Sequence, residues 1–185
     1  MAELQRNAMM KSLKGRDKMF EIGDFVVKAN NGICKVEDIG RLDISSANKD
    51  RLYFFLNPIG EANSRLYVPV DKADTGLRKV VTEEEAWKII EQIPEVEEVW
   101  ISDDKQREQK YKEAIQSCDP QKLISIIKNM YHRKERRTAQ GKKNTSVDEY
   151  FFKLAENNLY TELAFAIGRE KDEMREIISE KIANK

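Results

Sequence analysis

The sequence predicts an α+β protein, in which a small, strongly bent β-sheet or barrel precedes an all-α helical bundle. Two observations lead to this prediction. Residues 20–81 alternate short apolar runs with Gly, Asn and Pro turns, and after residue 81 the apolar residues recur at helical spacing. With 185 residues, 40% of them hydrophobic, the chain can bury one or two small cores. We therefore expect a sheet domain at residues 19–81, a helical domain at residues 82–185 and a poorly ordered leader at residues 1–18.

The predicted sheet starts with a hairpin. Apolar runs at residues 25–27 and 33–36 flank Asn30-Asn31-Gly32, and an Asn-Gly pair supplies the positive φ angles that a tight turn requires. Two more strands follow at residues 51–56 and 64–68, each bounded by turn residues. Four or five short strands of this kind form a small curved sheet, and such a module usually binds a partner rather than catalyses a reaction.

Helix-start signals divide the C-terminal half. Thr82-Glu83-Glu84-Glu85 has the pattern of a capping box, and Ile93-Pro94 ends the helix that it opens. Asp119-Pro120 places an N-cap Asp before a Pro at the first helical position. Ser146-Val147-Asp148-Glu149 has the pattern of a second capping box, and its helix is expected to bury Tyr150, Phe151, Leu154 and Ala155.

The charge of the chain is divided between its halves. The formal net charge is zero, but residues 105–143 hold twelve Lys or Arg against four Asp or Glu, a net +8. Residues 19–95 hold ten basic residues against 14 acidic ones, a net −4. Because local potential rather than net charge steers association, we expect one face for a polyanion and another for a different partner. Nucleic acid is the first polyanion to consider.

The sequence offers little for catalysis. His132 is the only histidine, and the two cysteines, Cys34 and Cys118, lack the spacing of metal ligands or of a disulfide framework. The eight glycines form no phosphate-binding loop. We therefore expect neither an enzyme nor a bound metal or cofactor. No apolar run has the length of a membrane span, and no signal-peptide pattern is present, which favours a cytoplasmic protein without membrane contact.

Both halves of the sequence contain short motifs in a specific order. In the sheet they are Phe20-Glu21-Ile22-Gly23-Asp24-Phe25-Val26-Val27, Asn31-Gly32-Ile33-Cys34-Lys35-Val36, Tyr67-Val68-Pro69-Val70-Asp71 and Gly76-Leu77-Arg78. In the helices they are Tyr111-Lys112-Glu113-Ala114 and Ser117-Cys118-Asp119. Together these motifs resemble the CarD/CdnL family of bacterial transcription regulators, whose helices have similar Tyr-Lys and Ser-Gly-Asp motifs. The motifs are short, but their order and spacing are specific, and the resemblance extends from Met19 to Lys185.

The resemblance implies a non-enzymatic factor in two parts. In this family a Tudor-like N-terminal module binds the N-terminal lobe of the RNA polymerase β subunit by strand addition at an exposed sheet edge. The helical domain touches promoter DNA, mainly its backbone and minor groove, at the upstream edge of the bubble, and the expected result is a stabilised open complex. Polymerase would then associate the protein with the bacterial nucleoid. The polymerase contacts that the resemblance implies here are Arg41, Arg51, Arg65 and Tyr67, although solvated strand faces are an equal alternative for each.

The resemblance also implies a set of DNA contacts. The family inserts a tryptophan wedge into the minor groove beside the start of a basic helix, where an apolar ring opposes re-closure of the duplex. Trp100 is the natural candidate, although a gap-free alignment places the wedge at Asp104, one helical turn later. The alternative role for Trp100 is packing at the domain junction. The expected phosphate contacts, which position the protein without reading sequence, are Lys105, Arg107, Lys110, Arg133, Lys134, Arg136 and Arg137.

Three alternative functions share part of this pattern. The same β module occurs in the transcription-repair coupling helicase, but that protein is far longer and has nucleotide-binding motifs that this sequence lacks. A DNA-independent adaptor, whose basic helices meet an acidic protein, stays open, as does a general nucleic-acid-binding protein without a polymerase contact. The salt dependence of binding separates a DNA-binding function from the adaptor, because phosphate contacts weaken steeply as the salt concentration rises.

Overall fold

The computed structural model describes residues 20–42, 51–61, 64–99, 101 and 103–183. Within these residues the chain forms a five-stranded antiparallel sheet followed by five α-helices, which confirms the predicted α+β class and the order of its two parts. Each part has its own hydrophobic core. The expected leader lies outside the described residues, and the domain boundary at residue 81 stays a prediction.

The sheet has the strand order β4-β3-β2-β1-β5, so β4 and β5 form its two edges. Its strands are β1 (Phe25–Lys28), β2 (Gly32–Arg41), β3 (Leu52–Pro58), β4 (Leu66–Pro69) and β5 (Leu77–Lys79). The predicted hairpin joins β1 to β2, with Lys28 opposite Gly32. Asn30 and Gly32 both have φ of 66°, the left-handed conformation that Asn and Gly adopt most readily.

An irregularity in β2 curls the sheet. The register of β2 against β3 shifts between Val36 and Asp38, and an extra residue in one strand increases the local twist. The 3₁₀ turn Val70–Thr75 then carries the chain from β4 across to β5 on the opposite edge. The concave face so formed encloses a core that includes Phe20, Val26, Val36, Phe54, Leu56, Val68 and Ala73.

Five α-helices follow the sheet in the described part of the chain: α1 (Glu83–Gln92), α2 (Asp104–Gln116), α3 (Pro120–Ala139), α4 (Ser146–Ile167) and α5 (Lys171–Ala183). The capping box of α1 is confirmed, because Thr82 Oγ1 accepts from the Glu85 amide and the Glu85 carboxylate accepts from the Thr82 amide. Asp119 caps α3 as predicted, by accepting from the Gln121 amide at 2.9 Å.

Two details of α4 differ from the prediction. Its N-cap is Thr145, whose Oγ1 accepts from the Asp148 amide at 3.1 Å, so the cap lies one residue before the predicted Ser146. Tyr150 is 62% exposed and does not belong to the core. The exposure of Tyr150 follows from Asp148, which turns inward to meet two arginines. A residue two positions later points to the opposite side of the helix, so Tyr150 faces solvent.

The helical core is built around α3 and α4. Tyr111 of α2 is fully buried, and its hydroxyl donates to Asn129 Oδ1 at 2.9 Å, which satisfies the polar end of the ring. Among the described residues, no helix is both long and apolar enough to cross a membrane. The core includes Ile90, Leu123, Ile127, Met130, Leu159, Leu163, Met174 and Ile178.

Candidate functional site

The edge strand β4 carries two of the predicted partner contacts. Tyr67 is 41% exposed. Arg65, just before the strand, is 70% exposed and lies 3.9 Å from Glu37, too far for a close hydrogen bond. In the described part of the chain β4 pairs with β3 alone, so its outer side is open to an added strand.

Tyr67 packs against a second aromatic ring, Phe55, which was not among the residues predicted from the sequence. Phe55 of β3 stands directly opposite Tyr67, and their ring centroids are 5.2 Å apart in an edge-to-face contact. Phe55 also covers Gly40 of β2, where a Cβ atom would lie 3.0 Å from Phe55 Cε2. The run Tyr53-Phe54-Phe55 contains the missed signal, because the period of a strand puts Phe54 in the core and its neighbours on the outer face.

Arg41 and Arg51 lie at one end of the same strands. Arg41 ends β2, where it is exposed and stands opposite Leu52. Arg51 bonds Asp71 at two points, with Nε–Oδ1 at 2.8 Å and Nη2–Oδ2 at 2.7 Å. The hydrogen bond from Arg51 lowers the pKa of the Asp71 carboxyl. The structure therefore brings Arg41, Arg51, Arg65 and Tyr67 to the β2-β3-β4 side of the sheet.

Three of the predicted DNA contacts are well-exposed basic side chains. The side chains of Lys110 and Arg136 are 52% and 59% exposed, and each lies 3.8 Å from a carboxylate oxygen. Lys134 is also exposed. Loose surface pairs of this kind contribute little, so these cations can turn to a phosphate at small cost. Arg137 differs, because its Nε and Nη2 donate to the Lys143 carbonyl at 3.0 and 2.8 Å and so hold the loop after α3.

Arg107 and Arg133 are instead drawn together by a buried carboxylate. Asp148 is 1% exposed, and its two oxygens lie 3.0 Å from Arg107 Nε and 3.1 Å from Arg133 Nε. The Arg107 approach is an ionic contact without hydrogen-bond alignment. A buried carboxylate requires such partners, so this triad ties α2, α3 and α4 together. Arg107, with a side chain 9% exposed, is poorly placed for a phosphate contact.

The remaining two DNA predictions fall outside the described part of the chain. Trp100 is not among the described residues, and neither is the side chain of Lys105. Their proposed roles stay predictions. The backbone of α2 begins at Asp104, so the first helical turn of the basic segment starts four residues after Trp100.

The two cysteines and the histidine are the groups whose surroundings bear on chemical reactivity. Burial raises the pKa of the Cys34 thiol to about 11, and burial also raises that of Cys118. Both shifts are opposite to the lowered pKa of a reactive thiol. His132 Nδ1 lies 2.8 Å from Glu98 Oε2. Within the described ranges, no three His, Cys, Asp or Glu residues are grouped so that they could hold a metal ion.

The sheet and the helices meet in a direct contact. The rings of Phe25 on β1 and Phe165 on α4 have centroids 4.9 Å apart. Arg78 of β5 donates through Nε to the Cys118 carbonyl at 2.8 Å, between α2 and α3. The open sheet edge and the basic helical surface therefore belong to two parts that touch.

A small curled sheet with an open, partly aromatic edge has a form that is common among protein-interaction modules. Residues 20–81 match the family model described as the CarD-like/TRCF RID domain. The match confirms the resemblance seen in the sheet sequence and supports a transcription-related function that involves RNA polymerase. Comparison with curated proteins finds no match.

Proposed function

We propose that the protein is a transcription regulator that binds the N-terminal lobe of the RNA polymerase β subunit through its sheet and promoter DNA through its helices. Its effect would be to stabilise the open complex at the upstream edge of the bubble. The observation that carries the proposal is the CarD-like/TRCF RID match at residues 20–81, on a sheet whose edge strand β4 is open. The net +8 of residues 105–143 supports the second contact.

The polymerase contact would form by strand addition to β4. An added strand gains main-chain hydrogen bonds along the edge, and side chains at alternate positions give specificity. Tyr67 and Phe55 supply an aromatic surface beside that edge, and Arg65 supplies an exposed positive charge. Pro69, at the end of β4, has no amide hydrogen to donate, so it limits the length of the added strand.

The DNA contact would combine charge with a wedge. Lys110, Lys134 and Arg136 have exposed cations suited to phosphates, and Trp100 is the proposed wedge at the bubble edge. Each contact alone would be weak. Binding to polymerase raises the local concentration of DNA near the helices, so two weak contacts suffice for a stable assembly.

The first experiment measures binding of the full chain to the isolated β-subunit lobe. We expect Tyr67→Ala to weaken binding by about tenfold or more, in the range expected for an aromatic residue near the centre of an interface. Tyr150→Ala is the matched control, because it removes an equally large exposed ring from α4. Absence of binding by the wild-type chain, or equal losses in the two variants, would contradict the proposed polymerase surface.

A further inference from the structure

Residues 93–99 form a strap that leads from α1 to residue 100 and the basic helix α2. The strap begins with the 3₁₀ turn Ile93–Glu95 and continues without regular secondary structure. One face of α3 lies along it and donates hydrogen bonds to most of its length. The side chains concerned are spaced three and four residues apart, as one helical face requires: Ser125, Lys128, Asn129 and His132.

Lys128 is the centre of this face. It is 1% exposed, and its ammonium donates to the carbonyls of Ile93, Pro94 and Val96 at 2.9, 3.2 and 2.7 Å. These acceptors lie just beyond the C-terminal end of α1, where a helix leaves carbonyls unsatisfied and its dipole is negative. The first turn of α1 has three glutamates, and its last turn has no basic residue. Lys128 therefore supplies from α3 the positive charge that the end of α1 lacks.

The contacts extend further than a helix cap needs. Ser125 Oγ donates to the Glu97 carbonyl at 2.6 Å, and Asn129 Nδ2 donates to the Val99 carbonyl at 3.0 Å. The Asn129 side chain is in turn oriented by the Tyr111 hydroxyl of α2. The backbone is thus held as far as Val99, the residue immediately before Trp100.

Glu98 links the strap to the basic surface. Its Oε2 lies 2.8 Å from His132 Nδ1, and its Oε1 accepts from Asn129 Nδ2 at 3.0 Å. The same Oε1 lies 3.8 Å from Arg136 Nη2, a cation that we assign to phosphate binding. The strap is therefore fixed against α3 beside the surface proposed to face DNA.

We infer that Lys128 and Asn129 are positioning residues for the DNA contact, because they fix residues 93–99, the strap that leads into the basic segment. This inference rests on the proposed function. Because the strap is already held against α3 as far as Val99, little of its conformational entropy remains to be lost on DNA binding. Neither residue needs to touch DNA for this role.

The test is Lys128→Met in the full chain, which keeps an unbranched apolar stem and removes the ammonium. The carbonyls of Ile93, Pro94 and Val96 then lose the ammonium as a donor, in a buried or partly buried position. Lys122→Met is the control, because it removes the same charge from an exposed position of the same helix. For Lys128→Met we expect at least tenfold faster hydrogen exchange in the amides of residues 95–101 and severalfold shorter open-complex lifetimes, with unchanged binding to the β-subunit lobe. For the control we expect wild-type values.

Ser125→Ala is a milder second variant, which removes one bond to the strap and leaves Lys128 in place. We expect a smaller change of the same kind. Two results would overturn the positioning role alone. One is a folded Lys128→Met protein with wild-type exchange rates. The other is faster exchange in both Lys128→Met and Ser125→Ala without any change in open-complex lifetime. A wild-type protein that does not bind the β-subunit lobe or does not prolong open complexes would instead overturn the proposed function.

Discussion

Arg78 of β5 and Glu162 of α4 form a two-point ion pair where the sheet meets the helices, with Nη1–Oε1 at 2.6 Å and Nη2–Oε2 at 2.7 Å. Glu162 is 1% exposed, and its Oε1 also accepts from the Val81 amide at 3.1 Å. A bidentate pair of planar groups fixes orientation as well as distance. The open sheet edge and the basic helical surface are therefore held in one relative arrangement.

Glu162→Gln should lower the free energy of unfolding by about 2 kcal/mol or more, because it leaves the partly buried Arg78 guanidinium without its counter-ion. Urea denaturation of the full chain measures the change. Glu84→Gln is the control, since Glu84 and Lys88 form an exposed pair at 2.6 Å. An exposed helical pair contributes about 0.5 kcal/mol or less. Equal losses in the two variants would show that the junction pair is not stabilising the fold.

The sequence predicts the elements better than it predicts their contacts. The Asn-Gly turn, the capping box at Thr82 and the Asp119-Pro120 start are local signals, and each marks the element that the structure contains. Arg78 and Glu162 are 84 residues apart, and a single charge pair has no periodicity from which the contact could be predicted.

The errors have the same physical origin. Tyr150 was placed in the core because aromatic residues are usually buried, but the facing of α4 is decided by Asp148 and its two arginines. Arg107 looked like a surface cation because it lies in a basic run. Only the distant carboxylate of Asp148 explains its burial. The edge position of Tyr67 likewise required the strand order, which local patterns do not give.

Arg107→Met should act on stability before it acts on DNA binding. The change leaves the buried Asp148 carboxylate with one fewer cation, and we expect the free energy of unfolding to fall by about 2–3 kcal/mol. Lys110→Met, which removes an exposed base from the same helix, should change it by about 0.5 kcal/mol or less. Urea denaturation checks both values. A fully stable Arg107→Met protein with weakened DNA binding would make Arg107 a phosphate contact instead.

Lys134→Ala combined with Arg136→Ala should weaken DNA binding without loss of stability. Each phosphate contact adds about one to the slope of log affinity against log salt, so the double variant should reduce that slope by about two. Fluorescence anisotropy with labelled duplex at several salt concentrations measures it. Lys88→Ala, an exposed base on α1, is the control and should leave the slope unchanged. Salt-independent binding of the wild-type chain to an acidic protein, without DNA binding, would favour the adaptor function.

Trp100→Ala should shorten the lifetime of open complexes while binding to the β-subunit lobe stays unchanged. The reason is that an apolar ring at the bubble edge opposes re-closure of the duplex. Asp104→Ala is the comparison, because the gap-free alignment puts the wedge at that position. Competitor-challenged decay of open complexes measures both variants. An unchanged lifetime for Trp100→Ala would remove Trp100 from the DNA site, and a loss confined to Asp104→Ala would favour the other alignment.

The protein should be more stable with glycine at position 118 than with alanine, the reverse of the usual order. It has φ of 54° between α2 and α3, and a non-glycine residue in this conformation costs about 1–2 kcal/mol. Both Cys118→Gly and Cys118→Ala remove the buried thiol, but only the glycine variant removes the Cβ. We therefore expect Cys118→Gly to unfold with a free energy about 1 kcal/mol higher than Cys118→Ala in urea. At Cys34, in the regular strand β2, the free energy of unfolding of the alanine variant should exceed that of the glycine variant by about 0.5–1 kcal/mol. The same order at both positions would mean that the left-handed backbone at Cys118 carries no strain.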